Sequence, residues 1–503
     1  MSLSALAPRY DLVIVGGGIT GAGILREAVR SGAKALLVEQ NDFASGTSCG
    51  SSKLVHGGLR YMKSGQWRLT LESVRERQLL LEQAPGLVEP QPFIMPLYRG
   101  MKPGPLLMRF GLKLYDRMGG ASTSRWVDAR EALKLEPGIR EDGLLGALLY
   151  DDARTDDTRL VLRLILECRA AGAQALSYTR VDALLKSGER VRGVALRDES
   201  GATREIEASV VINATGAWAG ALPGAPAGAP ALRPLRGSHF VFPREKLPVT
   251  RSVSWLHPKD RRPIFAYPWE GGTLYGTTDL DHDGDPAAPR MSRAESEYLL
   301  EGLAHQFPRV KLSARDALSV YSGVRPVVAG GKGDPSAESR ESALWSSPGL
   351  VGITGGKLTT FRVTARQVLA EAAKQQPALA PKAGRKVFDA NAGTTRGAGR
   401  FGAAASALAR EMPAAEQVPL DGLPYSLAEL RWSARHEAVH HLDDLLLRRA
   451  RIGLVAPRGG EALLERVGTL CREELKWDIA RWSAEAQRYR QLWAERHDPG
   501  IVA

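Results

Sequence analysis

The segment from Tyr10 to Glu39 constrains the fold more than any other: Y-D-L-V-I-V-G-G-G-I-T-G-A-G-I-L-R-E-A-V-R-S-G-A-K-A-L-L-V-E. Its apolar run Leu12 to Val15 predicts a buried parallel strand, because such strands are covered on both faces. Gly16, Gly18 and Gly21 follow in G-x-G-x-x-G register. A helical pattern comes next (Ile19 to Arg30), then a second apolar strand, Ala35 to Val38, that ends on Glu39. A glycine fingerprint alone is weak, but one flanked by strand, helix and an acid at this remove reads as a dinucleotide site. Gly16 makes the tight turn, Gly18 lets the backbone approach a pyrophosphate, and Gly21 permits close helix–strand packing. The pyrophosphate meets the positive end of the helix that Ile19 and Thr20 open. Glu39, followed by Gln40, would accept ribose hydroxyls, and its charge disfavours a 2′-phosphate. Spacing leaves the identity of the dinucleotide open.

A chain of 503 residues is long for one hydrophobic core, so two or three domains are expected. Cys49, Cys168 and Cys471 are too few and too scattered for a disulfide framework or a zinc site, which fits a reducing, cytoplasmic setting. Met1 to Arg9 lacks the basic start and apolar core of a signal peptide. No apolar run approaches the ~18 residues that span a bilayer. The net charge of +12 suits an anionic partner: a phosphorylated substrate, an anionic membrane surface or nucleic acid. A solvated basic face gives the same number.

After Glu39, the stretch F-A-S-G-T-S-C-G-S-S-K-L-V-H-G-G-L-R-Y reads as a loop, with backbone dense enough to lie against a flat ligand. Trp67 to Gln83 predicts an amphipathic helix. Leu87 to Asp116 is punctuated by prolines and closes in L-L-M-R-F-G-L-K-L-Y-D. That helix candidate sets Leu106, Met108, Phe110, Leu112 and Leu114 around Arg109 and Lys113, either as core or as an interfacial membrane helix. Another helix is expected from Asp156 to Gly172. A buried strand, Ser209 to Asn213, then runs into Ala214-Thr-Gly-Ala-Trp218, where backbone N–H groups fall near a bound dinucleotide. Leu222 to Ala231 is an Ala/Pro-rich surface excursion. Leu235 to Thr278 alternates as an antiparallel sheet does, Arg293 to Phe307 is helical, and Tyr321 to Pro326 turns back toward the dinucleotide unit. Leu350 to Arg362 repeats the order of strand and double glycine and leads into a helix, Val363 to Lys374. Gln375 to Ala405 reads as a linker, and Ser426 to Trp493 as a helical cap.

These motifs form a set. Ser51-Ser-Lys-Leu-Val-His-Gly-Gly-Leu-Arg-Tyr61, Gly237-Ser-His239, Gly276-Thr-Thr-Asp279, Tyr321-Ser-Gly-Val-Arg-Pro326 and Gly355-Gly-Lys-Leu-Thr-Thr360 resemble the FAD-dependent glycerol-3-phosphate dehydrogenases, within the D-amino-acid-oxidase-like flavoproteins. Arg435-His-Glu437 through Asp443 to Arg449 resembles that family's C-terminal helical domain. The resemblance implies an α/β fold with a Rossmann-like FAD-binding domain, an α+β substrate domain with an antiparallel sheet, and a C-terminal all-helical cap. The corresponding division assigns 1–86, 151–234 and 325–375 to the FAD domain and 87–150 and 235–324 to the substrate domain. Residues 376–425 are then a linker and 426–503 the cap.

The resemblance further implies FAD as cofactor and glycerol 3-phosphate as substrate, oxidised to dihydroxyacetone phosphate with hydride passing to flavin N5 and electrons going on to a quinone. The expected FAD contacts are Gly16, Gly18, Ile19, Thr20, Gly21, Glu39, Gln40, Thr47, Ser48, Ser51, Ser52, Lys53, Leu54, His56, Gly57 and Gly58. From later in the chain come Val181, Ala214, Thr215, Gly216, Trp218, Gly237, Gly323, Arg325, Gly356, Lys357, Leu358 and Thr359. A phosphate calls for cations, and Arg60, Arg325 and Lys357 lie in matched motifs, with Tyr61 and Thr359 adding hydroxyls. His56 and His239 are candidate bases, since imidazole titrates near neutral pH, and Arg325 is a further candidate at the reacting hydroxyl. An oxidase that makes hydrogen peroxide would use the same residues. A nucleic-acid-acting flavoprotein would need a stacking platform that the sequence lacks. Peripheral attachment to the inner face of an anionic cytoplasmic membrane and a homodimer complete the expectations.

Overall fold

The computed structural model describes residues 2–58, 66–119, 123–226, 228–331, 338, 341–389 and 393–503. The first strand, Arg9–Val15, sits at the centre of a mainly parallel sheet. Ala35–Val38 and then Gln174–Leu176 flank it on one side, and Thr203–Asn213 and then Leu350–Gly355 on the other, all parallel. Ser342–Ser347 closes that edge antiparallel. Alternation along the central strand explains its two coverings. Leu12 and Ile14 face helices Ile19–Ser31, Asp157–Ala170 and Phe361–Ala373. Val13 and Val15 face a second cluster built with the hairpin Thr179–Ser187 and Arg190–Asp198. This is the expected Rossmann-like unit, its strands contributed by segments far apart in the chain.

The second sheet is mostly antiparallel. Its order runs from Ser319–Val328 through Leu232–Pro243, Gly272–Gly276, Pro263–Trp269 and Ser252–Leu256 to Val88–Tyr98 and Leu144–Thr155. Helix Arg293–Gln306 covers one face, over Phe240, Phe242, Val253 and Tyr275. Its start is fixed by a capping box in which Ser292 and Glu295 satisfy each other's backbone N–H groups. The other face, with Val241, Tyr267, Trp269 and Tyr321, packs against Leu445, Leu446 and Leu454 of the C-terminal helices.

Three strands run across positions 150, 234 and 324: Leu144–Thr155, Leu232–Pro243 and Ser319–Val328 all belong to the second sheet throughout. Strands that run up to the junction carry the same alternation on either side of it, so nothing in their pattern marks the crossing. Within 376–389 and 393–425 the chain is held at several points. Val387 and Phe388 lie in the core of the first sheet, and Arg26 clamps the segment through the Val387 carbonyl and Asp389. Helix Arg396–Phe401 buries Arg400 against Asp156. Composition suggested looseness, but a few long side chains anchor the segment.

Candidate active site at the junction of the two sheets

The glycine turn lies at the carboxyl end of the central strand. Gly16 adopts φ +113° and donates its N–H to Val38. A Cβ on Gly21 would come within 1.9 Å of the Gly16 carbonyl oxygen, so only glycine lets helix and turn close up there. The helix beginning at Ile19 has no side-chain cap from Gly18, which leaves its positive end available for an anion. Ser48 reaches over from the following loop and accepts the Ile19 N–H at 2.9 Å.

Glu39 stands at the end of the second strand, where its carboxylate accepts the Gly17 N–H at 2.7 Å and the Asn41 N–H at 2.9 Å. Burial pushes its pKa up, against the pull of those N–H groups. A carboxylate has lone pairs beyond these two bonds, so accepting ribose hydroxyls remains open to it. Gln40 beside it is exposed. Val181 is buried behind this end of the sheet, where Thr179 donates its N–H to the Glu39 carbonyl.

The loop from Thr47 to Gly58 stitches the two sheets together. Thr47 donates to the Val324 carbonyl at 2.6 Å. A Cβ on Gly50 would lie 2.6 Å from the Cα of Gly323, so the loop and that strand meet backbone to backbone. Tyr321 and Tyr267 donate to the carbonyls of Ser51 and Ser52. Ser52 Oγ lies 2.9 Å from His239 Nε2, and His239 stacks on Tyr321 with centroids 4.7 Å apart. His239 is fully buried. That burial, with Arg325 and Lys53 nearby, holds its pKa well below the ordinary imidazole value.

Lys53 is buried too, its ammonium 2.8 Å from Asp157 Oδ2 and 4.6 Å from the Tyr321 ring centroid. Burial draws its pKa down while Asp157 acts to raise it. Leu54 pairs with Arg154 on the second sheet, and Gly57 donates its N–H to Asp152. Gly58 is buried beside it, and His56 is only half-buried.

Three later segments close around this loop. Arg325 projects from Ser319–Val328 with 30% of its side chain exposed; its Nη1 lies 2.9 Å from Asp279, which is almost fully buried. Gly237 lies under that guanidinium. Thr359 donates to the His56 carbonyl, and Lys357 Nζ is 3.3 Å from Ser73 Oγ. Gly356 has φ +81°, and Leu358 packs against the first core. From the remaining strand end, Ala214 bonds to Val15 and Thr215 to Asn213. Gly216 accepts a hydrogen bond from Thr354, and Trp218 packs over Gly46. Thus, apart from Gln40 and Val181, the expected residues within the described set lie on the glycine turn, the bridging loop or the segments that close on it, or, for Glu39, bond to that turn. Arg60 and Tyr61 lie outside the described residues.

The arrangement fits FAD on its own chemistry: a helix start opened by glycine for the pyrophosphate, a carboxylate for the ribose and a glycine-rich loop for a flat ring. Sequence reasoning passed over the charges behind the loop, namely Asp42, Asp156, Asp157, Arg448, Arg449 and Arg451. Their one signal was a run of like and unlike charges set in apolar surroundings, D-D-L-L-L-R-R-A-R from Asp443 to Arg451.

Comparison with known proteins agrees with this geometry. Residues 11–371 match the FAD dependent oxidoreductase family, and residues 364–482 match the C-terminal domain of alpha-glycerophosphate oxidase. Glycerol-3-phosphate dehydrogenase 2 of Mycobacterium bovis is 34% identical, over 96% of this chain and 87% of that protein. Aerobic glycerol-3-phosphate dehydrogenase of Staphylococcus haemolyticus is 37% identical, over 73% of this chain and 67% of that protein. The crystal structure of the glycerol-3-phosphate dehydrogenase from Bacillus halodurans complexed with FAD superposes with a TM-score of 0.79 at 27% identity, covering 97% of this chain and 95% of that one. The chain therefore belongs to the FAD-dependent glycerol-3-phosphate dehydrogenase family, with FAD as its cofactor.

Proposed function

We propose that the chain oxidises sn-glycerol 3-phosphate at C2 to dihydroxyacetone phosphate and delivers the electrons to a quinone. The observation that carries this reading is that the strand bearing Arg325 and the segment bearing Thr359 both bond to the Thr47–Gly58 loop, which itself carries His56. When bound, FAD supplies the hydride acceptor at flavin N5. The protein's part is to hold a phosphate, orient a secondary alcohol and take its proton. Arg325, pinned by Asp279, presents a planar fork suited to substrate oxygens. Lys357 adds a point charge, Thr359 a hydroxyl, and Arg60 and Tyr61 belong to the same set through their motif. Of the two histidines, half-buried His56 suits the base that accepts the C2 hydroxyl proton on a ring nitrogen. His239, whose pKa is pulled well down, stays neutral and orients Ser52.

No helix among the described residues is long and apolar enough to cross a membrane. Helix Pro105–Gly119 nevertheless exposes Leu106, Leu107 and Phe110 at 79%, 63% and 67%. Lys102, Arg109, Lys113 and Arg117 are exposed around them. An apolar edge fringed by cations suits a monotopic seat on an anionic bilayer, where a quinone would be met.

An anaerobic substrate panel read by flavin absorbance tests the reaction. Glycerol 3-phosphate should bleach the flavin while glycerol does not, and a soluble quinone should restore the colour faster than oxygen does. If no glycerol phosphate bleaches it, the substrate reading fails. If oxygen restores the colour as fast as the quinone and peroxide accumulates, the chain is an oxidase.

A further inference from the structure

The C-terminal helices meet the cofactor loops through buried charge rather than through apolar contact alone. Asp42 lies three residues beyond Glu39, in the loop that wraps the glycine turn and whose Ala44 N–H bonds to Gly17. Its carboxylate is fully buried and takes Arg449 Nη2 at 2.7 Å on Oδ1, with Arg448 Nε and Arg449 Nη1 on Oδ2. Arg448 is held in turn by Asp443 and Asp444, and Tyr178 donates to Asp444. Burial works to raise the Asp42 pKa, and the two guanidinium groups outweigh it, leaving the carboxyl below its ordinary value.

The second contact lies under the flavin-side loop. Asp157 divides its two oxygens between two regions of the chain. Oδ2 accepts from Lys53 Nζ at 2.8 Å and Ser51 Oγ at 2.7 Å, while Oδ1 accepts from Arg451. Arg451 also grips Asp156 through Nε at 3.1 Å and Nη2 at 3.0 Å, and Arg400 completes that pair. Asp42, Asp156, Asp157, Arg449 and Arg451 are all nearly inaccessible to solvent. Charges at such depth are tolerated only when paired, and removing one partner leaves the other uncompensated. Three arginines within four residues of the C-terminal region therefore hold the ribose-side loop and the flavin-side loop at once.

We propose that Arg448, Arg449 and Arg451 are positioning residues of the cofactor site, so that the C-terminal helices form part of the FAD-binding apparatus. The proposal rests on the reading that the glycine turn, Glu39 and the Thr47–Gly58 loop hold FAD. The three arginines act through two carboxylates: they fix Asp42 and Asp157, which fix the backbone of the two loops. Coupling of this kind is mutual: whatever orders the loops on one side steadies the clasp on the other.

The test uses full-length apoprotein titrated with FAD and followed by quenching of flavin fluorescence. Arg449→Met and Arg451→Met should each weaken FAD binding by about tenfold or more, equivalent to about 1.4 kcal/mol. Arg449→Lys and Arg451→Lys should recover most of the loss. Asp42→Asn combined with Arg449→Met should cost less than the sum of the single changes, since both remove one interaction. Glu39→Ala is the control for the underlying reading. If Glu39→Ala leaves affinity unchanged, the assignment of the cofactor site fails. If Glu39→Ala weakens binding while folded arginine variants bind FAD like the parent, the present inference alone is overturned. Should the methionine variants fail to fold, hydrogen exchange on the unsubstituted chain decides. FAD should slow exchange at 444–451 together with 41–53, and exchange at 444–451 that ignores FAD would overturn the proposal.

Discussion

At the scale of single residues, the pair of Arg325 and Asp279 carries the clearest expectation. Asp279 is almost fully buried and bonded to Arg325, with Arg262 3.6 Å away on its other oxygen. The carboxylate thus fixes the position of the guanidinium. Arg325→Ala should lower kcat/KM by about 10²–10³-fold, the cost of losing an oriented charged donor, while yellow FAD stays bound. Asp279→Asn keeps the shape and loses the charge, so its loss should be smaller, about tenfold. Steady-state kinetics with an artificial electron acceptor, beside flavin absorbance, would check both; an Arg325→Ala enzyme of near-normal activity would remove this residue from the site. Arg325 was legible in the sequence because it sits in Ser-Gly-Val-Arg-Pro. The role of Asp279 was not, because its partner is far along the chain and only the fold brings the two together.

At the scale of elements, helices announced themselves by period. Trp67–Gln83 occurs as expected, and Arg293–Gln306 starts at the Ser292–Glu295 box. What sequence could not separate is which sheet a strand joins, since alternation records burial and not partner. Helix Pro105–Gly119 shows the same ambiguity resolved in part. Leu112 and Tyr115 are core, whereas Leu106, Leu107 and Phe110 face outward, so one part of the stripe is core and the other lies at the surface. Replacing those three by Ser should leave turnover with a soluble acceptor unchanged and abolish flotation with vesicles rich in anionic lipid. Undiminished flotation would separate membrane binding from this helix. The stretch 376–425 reads as a linker for a compositional reason: Ala, Gly and Pro dominate it, and the anchors Val387, Phe388 and Arg400 are too sparse to make a pattern.

For the molecule as a whole, acid response follows from histidines buried in their neutral form. His497 lies near the end of the chain, where its Nδ1 donates to the Val320 carbonyl at 2.9 Å and its own carbonyl accepts the Val320 N–H. Burial outweighs that hydrogen bond and brings its pKa down to about 4. The unfolded chain therefore takes the proton first, and stability falls as pH drops from about 6.5 toward 4, by at most about 3 kcal/mol from this residue. His441 has the opposite sign. Burial acts to lower its pKa, but Glu485 and Glu199 raise it overall, so its contribution is present at low pH and fades as pH rises through the folded value. Thermal melts of the parent should lose more stability between pH 7 and pH 5 than those of His497→Gln. Equal slopes would show that His497 does not carry the effect.

The strand order of the first sheet also has a consequence for how the protein is made. Arg9–Val15 leaves the ribosome early, yet its neighbour Thr203–Asn213 and the next strand, Leu350–Gly355, arrive much later. At about 5–20 residues per second, the nascent glycine turn waits some tens of seconds for the sheet that shapes it. Helix Ile19–Ser31 meanwhile has no Phe361–Ala373 to cover it. Arg448 to Arg451 emerge later still. The first sheet is thus completed only once Leu350–Gly355 has emerged, and until then the apolar faces of its early half stay uncovered.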